Sequence, residues 1–264
     1  MGIFIAVGKI VIDWVARLIT RRASHPQPET PAKPTLPAHP AASRSRFGGR
    51  AWHVDAHGVH ADGRLWRTPG EPITCEAILA LHRDLIMAIG QKHGVDPALI
   101  VMTIATEAGA FRRDRFTGPR SFRWEKHVLN RDAAPPFRGS YSAGPMQVLA
   151  TTARDLVTTH GRRYGLAHAP STIAPAYAKQ PKPAPQNLPL YAPEVSIDLG
   201  AAVIRRGLAL TGNDPILVAA AYNSGGLYES RANAWRLRSH GDHLDRAARW
   251  YGDACFVLAR AGLR

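Results

Sequence analysis

Residues 96–109 read DPALIVMTIATEAG, and this stretch places one carboxylate at the end of a short apolar helix. Asp96 is a favourable N-cap residue, and Pro97 suits the first helical position. The Ile, Leu, Val and Met side chains that follow form an apolar face, and Gly109 is a common stop signal. We therefore predict a buried helix with Glu107 in its last turn.

The position of Glu107 favours a protonated side chain. The unpaired carbonyl groups of the last helical turn and the apolar surroundings both disfavour a negative charge there. A carboxyl group that keeps its proton near neutral pH is suited to general acid catalysis. Burying a lone carboxylate lowers the stability of the fold, and such residues cluster at functional sites. Glu107 is therefore the candidate catalytic residue.

Two glycine-containing turns supply further polar groups. Residues 142–147 read SAGPMQ and predict a tight turn before a second amphipathic segment. Residues 221–226 read AYNSGG and carry a phenol and an amide. The pair Asp214-Pro215 repeats the helix start of residues 96–97, so we expect a second buried helix that ends near this turn.

At these residues the chain resembles the lytic transglycosylases of the goose-lysozyme-like superfamily, in particular phage and prophage members. The family's Glu-Ser reads Glu107-Ala108 here, its Gly-Leu-Met-Gln reads Gly144-Pro145-Met146-Gln147, and its Ala-Tyr-Asn is intact at Ala221-Tyr222-Asn223. The resemblance covers roughly Thr74 to the C-terminus. It implies a mainly α, lysozyme-like helical domain that cleaves peptidoglycan and needs no cofactor.

The resemblance also implies the roles of the site residues. Glu107 would protonate the bridging oxygen between N-acetylmuramic acid and N-acetylglucosamine, and would then take the proton from the C6 hydroxyl, leaving a 1,6-anhydro ring. Tyr222 would support the reacting region, and Gln147 and Asn223 would bind sugar polar groups unless they only cap helices or tie loops. The cleft wall would include Ser142, Gly144 and Met146, with a core position as the alternative for Met146.

Two positions depart from the family pattern. Ala108 lacks the hydroxyl of the Glu-Ser motif, and Pro145 lacks a backbone donor. A noncatalytic envelope-binding or virion protein would tolerate both changes. A hydrolytic muramidase is a further alternative, because it would share the motifs with a transglycosylase. For such a hydrolase, Glu125 in the stretch RWEKHV is the secondary candidate carboxylate.

The composition bounds the class of partner. The chain has 264 residues with 45% apolar content and a net charge of +14, so it can form a sizeable core and favours polyanionic partners. We expect no nucleic acid partner, because the basic residues are scattered and no common binding motif is present. The bacterial envelope, which carries carboxylates and phosphates, remains the expected site of action.

The first 73 residues differ in character from the rest of the chain. Residues 1–22 predict an amphipathic helix that anchors on a membrane surface, on virion proteins or on the domain itself, with Lys9, Asp13 and Arg17 on one face. Residues 23–46 are Pro-rich and predict an extended linker. Residues 47–73 predict a small β-hairpin extension, and residues 74–264 the catalytic domain.

Several side chains of the extension are potential metal ligands, namely His53, Asp55, His57 and His60. At alternating strand positions beside a turn such residues usually form a solvated face, and no Cys pair or His-Glu-x-x-His pattern accompanies them. We therefore predict no metal site. Cys75 and Cys255 lie on apolar helical stripes, which favours small core residues over a disulfide, although the sequence leaves the disulfide open.

Between residues 107 and 142 the sequence is basic and aromatic. It could line a sugar cleft, with aromatic rings against sugar faces and guanidinium groups toward peptide carboxylates, or it could be an insertion that only covers the surface. The residues concerned are Phe111, Arg112, Arg113, Arg115, Phe116, Arg120, Phe122, Arg123 and Trp124.

Overall fold

The computed structural model describes residues 43–108, 122–125, 128, 140–173 and 188–264. Its helices are α1 (Ile73–His93), α2 (Pro97–Ala108), α3 (Ala150–Tyr164), α4 (Pro170–Ile173), α5 (Pro193–Thr211), α6 (Pro215–Ser224) and α7 (His243–Arg260). A 3-10 helix, Pro189–Tyr191, precedes α5. The mainly α architecture is therefore confirmed. The anchoring helix predicted at residues 1–22 lies outside the described residues.

Helix α2 is the centre of the helical domain. Every residue from Ala98 to Thr106 is buried, and α2 packs against α1 and α7 and touches α5 and α6. As predicted, Asp96 caps its start, since Oδ1 accepts a 2.8 Å hydrogen bond from the backbone N–H of Ala98. The same device begins α6, where Oδ1 of Asp214 accepts hydrogen bonds from the N–H groups of Ile216 and Leu217.

Helix α1 has an uncapped start and a kink. It begins at Ile73 with Pro72 at the N-cap position, and no side chain caps it. The backbone is non-helical at His82, where two helical segments meet at a kink. His82 itself is buried, so the imidazole belongs to the core and not to the surface.

The extension is larger than a hairpin. Strands β1 (Ser43–Ser45), β2 (Gly48–Asp55), β3 (Gly58–Ala61) and β4 (Arg64–Leu65) form an antiparallel sheet in sequential order. The first strand therefore lies in the stretch predicted as linker. The inner face carries Trp52, which packs edge-on against Trp235, so the sheet is attached to the helical domain by aromatic contacts.

A second sheet lies beside the helices, and the sequence did not predict it. It consists of β5 (Phe122–Glu125), β6 (Ser140–Ala143) and β7 (Val148–Leu149), in that order. The register pairs Arg123 with Ser142 and Glu125 with Ser140. Because β6 leads into residues 144–147 and β7 into α3, this sheet holds the turn that the sequence singled out.

The expectation for the two cysteines has a clear outcome. Cys75 and Cys255 are both buried and both free, so they are core residues and not a disulfide. Burial raises the pKa of Cys255 to about 12, which keeps that thiol protonated. Among the residues that the structure describes, no helix is both long and apolar enough to cross a membrane.

Candidate active site

Glu107 lies in the last turn of α2, where the helix emerges from the core. Its side chain is only 14% exposed. The preceding carbonyl group, that of Thr106, accepts a 3.4 Å hydrogen bond from Nη1 of Arg246 on α7. The helix end is therefore partly buried, and one of its carbonyl groups is satisfied by a neighbouring helix.

The surroundings of Glu107 favour its protonated form. Burial raises the pKa of Glu107 from 4.5 to about 7; the charges of Arg123 and Arg246 oppose this shift, and the charge of Glu125 adds to it. Burial is the largest of these causes, so the carboxyl group is mainly protonated below about pH 7 although two guanidinium groups are near. This is the state that the sequence analysis expected of a proton donor.

His243 is the nearest ionisable group from α7. Its Nε2 atom lies 3.8 Å from Oε1 of Glu107, and its ring is buried. Burial, with a further contribution from the charge of Arg246, lowers the pKa of His243 to about 4. Near neutral pH the imidazole is therefore uncharged. A charged imidazolium would lower the pKa of Glu107, whereas the uncharged ring does not.

The turn at residues 144–147 requires its glycine. Gly144 has φ +75°, and a Cβ atom there would lie 2.2 Å from the carbonyl oxygen of Leu190. The N–H of Gln147 donates a 3.1 Å hydrogen bond to the carbonyl of Gly144, and its Nε2 donates another to the same oxygen at 2.9 Å. Gln147 thus closes its own turn, as the capping alternative expected.

Met146 and Ser142 have different positions from the cleft wall first assigned to them. Met146 has 0% exposure, which corresponds to the core alternative. The hydroxyl of Ser142 is buried and lies 3.1 Å from Oε1 of Glu125 and 3.2 Å from Oε1 of Gln147. Ser142 therefore joins the second carboxylate to the turn instead of lining an open surface.

Tyr222 connects the third motif to the second. Its hydroxyl donates a 2.9 Å hydrogen bond to the carbonyl oxygen of Met146. Burial and, to a lesser degree, the charge of Glu107 raise the pKa of Tyr222 well above its ordinary value, so the phenol keeps its proton. Asn223 uses its side-chain oxygen to accept a hydrogen bond from the N–H of His240, which ties a loop as the alternative assignment predicted.

Sequence reasoning missed two residues of this site. His243 and Arg246 are one helical turn apart near the start of α7, and both reach the end of α2. Their spacing puts them on one helical face, but no local signal showed which helix they would meet. Of the basic and aromatic stretch, Phe122, Arg123 and Trp124 are described, whereas residues 109–121 lie outside the described part of the chain.

Among the residues placed around Glu107 by the structure, none forms an evident metal site with it. Within the described part of the chain, the cluster of three or more metal-ligating side chains lies on the first sheet and not beside Glu107. The chemistry available near Glu107 is therefore that of a protonated carboxyl group, a second carboxylate at Glu125, and hydrogen-bonding groups held by a rigid turn.

Comparisons with known proteins found similarity to solved structures but not to a family model or a curated protein. No protein-family model matches the chain, and no curated protein matches it. Among solved structures, an inactive mutant of the lytic transglycosylase Slt from Pseudomonas aeruginosa is similar, with 17% sequence identity and a TM-score of 0.41. The match covers 69% of this chain and 24% of that protein, so the chain spans about a quarter of its length.

Proposed function

We propose that this protein is a peptidoglycan lytic transglycosylase with a lysozyme-like domain and Glu107 as its catalytic residue. The observation that supports this most is the buried Glu107, whose pKa of about 7 leaves a proton to donate near neutral pH. Two contacts between the motifs also support it: Tyr222 donates a hydrogen bond to the backbone of the turn at residues 144–147, and the charge of Glu107 acts on the same phenol. The resemblance at these motifs supplies the substrate class.

In the proposed reaction Glu107 donates its proton to the oxygen that links N-acetylmuramic acid to the next sugar. The bond between C1 and that oxygen breaks, and the substrate's acetamido group supports the developing positive charge. Glu107, now ionised, then accepts the proton of the C6 hydroxyl as O6 bonds to C1. No water is consumed, and the product carries a 1,6-anhydro ring.

A hydrolytic muramidase is the second candidate, and Glu125 favours it. The Glu125 side chain is 25% exposed, and its charge acts on Glu107, so a second carboxylate is close to the proton donor. Such a carboxylate can activate water in glycoside hydrolysis. Its hydrogen bond with Ser142 and its contact with Arg123, at 3.6 Å from Oε1 to Nη1, would keep the carboxylate oriented.

One digestion separates these functions. Purified peptidoglycan is digested in water enriched in ¹⁸O, and the fragments are weighed by mass spectrometry. A transglycosylase yields anhydro products without ¹⁸O, whereas a hydrolase yields reducing ends that carry one ¹⁸O atom. A protein that binds the wall and releases no fragments would be noncatalytic, and our proposal would be wrong.

Two variants assign the carboxylates in the same assay. Glu107→Gln keeps the shape of the side chain but has no proton to donate, so it should release no fragments above background. Glu125→Gln should leave a transglycosylase active, whereas a hydrolase that uses Glu125 as its base should lose its activity.

Phage or prophage origin, a role in wall penetration or lysis, and action at the cell envelope belong to the same proposal.

A further inference from the structure

Three potential metal ligands share one face of the first sheet, although the sequence predicted no metal site there. His53 on β2 lies directly opposite His60 on β3 in the antiparallel register. Asp55 follows His53 by two residues, and because side chains alternate along a strand it lies on the same face. The side chains of His60 and Asp55 are 25% and 20% exposed, so solvent can reach the group.

The side chains converge closely. The two imidazole rings stack with their centroids 4.5 Å apart and their planes within 9° of parallel. Nε2 of His60 lies 3.0 Å from Oδ2 of Asp55. One nitrogen or oxygen atom from each of the three residues falls within 4.8 Å of the others. In a tetrahedral zinc site ligand atoms are about 3.3 Å apart, and an imidazole binds through a lone pair in its ring plane, so the two rings would rotate out of their parallel stack to bind one ion.

The carboxylate is already oriented by other contacts. Oδ1 of Asp55 accepts hydrogen bonds from the backbone N–H groups of His57, at 2.7 Å, and Gly58, at 3.1 Å. The turn therefore holds the carboxylate through one oxygen and leaves Oδ2 directed at His60. Hydrogen bonds of this kind fix metal ligands before the metal binds.

The backbone that carries the ligands is also rigid. On the opposite face of the same strands, Trp52 and Val59 are buried in the core. At the turn, a Cβ atom on Gly58 would lie 2.7 Å from the Cα atom of Gly252 on α7, so the turn is packed tightly against that helix. The distance between β2 and β3 at this point is therefore set by the fold and not by the side chains.

We propose that His53, Asp55 and His60 bind one Zn²⁺ ion, which ties β2 to β3 and keeps a coordination position open to solvent. Two imidazoles with one carboxylate suit zinc better than calcium or magnesium, which prefer oxygen ligands. None of the three ligands belongs to the group of residues that surrounds Glu107 or holds the turn at residues 144–147. The existence of the zinc site is therefore independent of the proposed function, and removing the metal is expected to leave wall digestion unchanged.

Zinc binding by the untagged, metal-free, full-length protein tests the proposal. Isothermal titration with ZnCl₂ should give one equivalent bound, and His53→Gln and His60→Gln should each weaken binding by about tenfold or more. His57→Gln is the matched control, because that imidazole lies on the same turn outside the cluster, and its affinity should stay within about twofold of the wild type. No binding by the wild type, or equal weakening by His57→Gln and His60→Gln, would overturn the site.

A second measurement does not depend on how the variants fold. Cobalt(II) added to the wild-type protein should give the visible absorption bands of a four-coordinate site with nitrogen ligands, and one equivalent of zinc should remove them. Zinc should also raise the melting temperature of the wild type. A spectrum that remains that of aqueous cobalt would contradict the proposed site.

Discussion

The indole Nε1 of Trp52 donates a 2.7 Å hydrogen bond to Oδ2 of Asp214, the carboxylate whose other oxygen caps helix α6. This contact joins the first sheet to the helix that ends with Tyr222. Burial raises the pKa of Asp214, although the hydrogen bonds of the cap and of Trp52 oppose the shift. The sheet therefore supports the candidate active site through the start of α6.

Trp52→Phe should weaken the start of α6 while leaving the aromatic packing largely in place. It leaves Oδ2 of Asp214 buried without its donor, which costs about 1–3 kcal/mol of unfolding free energy. Hydrogen exchange of the Leu217 amide should accelerate, because the Asp214 carboxylate that accepts its hydrogen bond is held less firmly. Trp66→Phe is the control, since that indole donates to the carbonyl of Ala61 instead; equal acceleration in both variants would rule out the link through Asp214.

Wall digestion should decline as the pH rises. The pKa of Glu107 is about 7, so the proton that the reaction needs is present below that value and lost above it. Activity should fall about tenfold for each pH unit well above 7, because one group must be protonated. The rate of fragment release between pH 5 and pH 9 measures this, and a rate that rises steadily across the range would contradict the assignment.

Glu107→Gln should stabilise the protein at high pH. The pKa of Glu107 is raised in the folded chain from 4.5 to about 7, so the unfolded chain releases the proton first. Folded stability therefore falls as the pH rises through this window, by up to about 3 kcal/mol. Urea unfolding should show that the variant gains stability over the wild type at pH 8 but not at pH 4; an equal difference at both values would contradict the burial of the charge.

Tyr222→Phe should slow digestion without unfolding the protein. It removes the hydrogen bond to the carbonyl of Met146, which is worth about 1 kcal/mol, and it frees the turn that carries Gln147. A turn displaced by about 1 Å can slow a reaction by up to 10²-fold, so we expect a loss of between about 10-fold and 100-fold. Tyr228→Phe, at an exposed tyrosine, should keep the normal rate.

Two glycines with similar backbone angles should respond differently to alanine. Gly144→Ala combines a left-handed φ of +75° with a clash against the carbonyl of Leu190, so it should cost about 3 kcal/mol or more. Gly63 has φ +71° and open space around it, so Gly63→Ala should cost only about 1–2 kcal/mol. Chemical denaturation measures both, and similar losses would mean that the packing around Gly144 is not tight.

Much of the helical framework was readable from local signals. Asp96 and Asp214 each precede a proline, and each caps the helix predicted to follow it. The sheet at residues 122–149 was not readable, because its strands are short and the pairing of Arg123 with Ser142 is a long-range contact. The strand at residues 43–45 was also missed. It has only three residues, and its pairing with β2 identifies it as a strand.

The sequence by itself determined where α2 begins and that Glu107 ends an apolar helix, because capping and hydrophobic periodicity act over a few neighbouring residues. Only the tertiary structure decided what surrounds that carboxyl group. His243, Arg246 and Glu125 come from distant parts of the chain, and burial among them sets the pKa of Glu107. The register of β2 and β3 likewise brought His53 opposite His60, because strand pairing converts separate positions into neighbours.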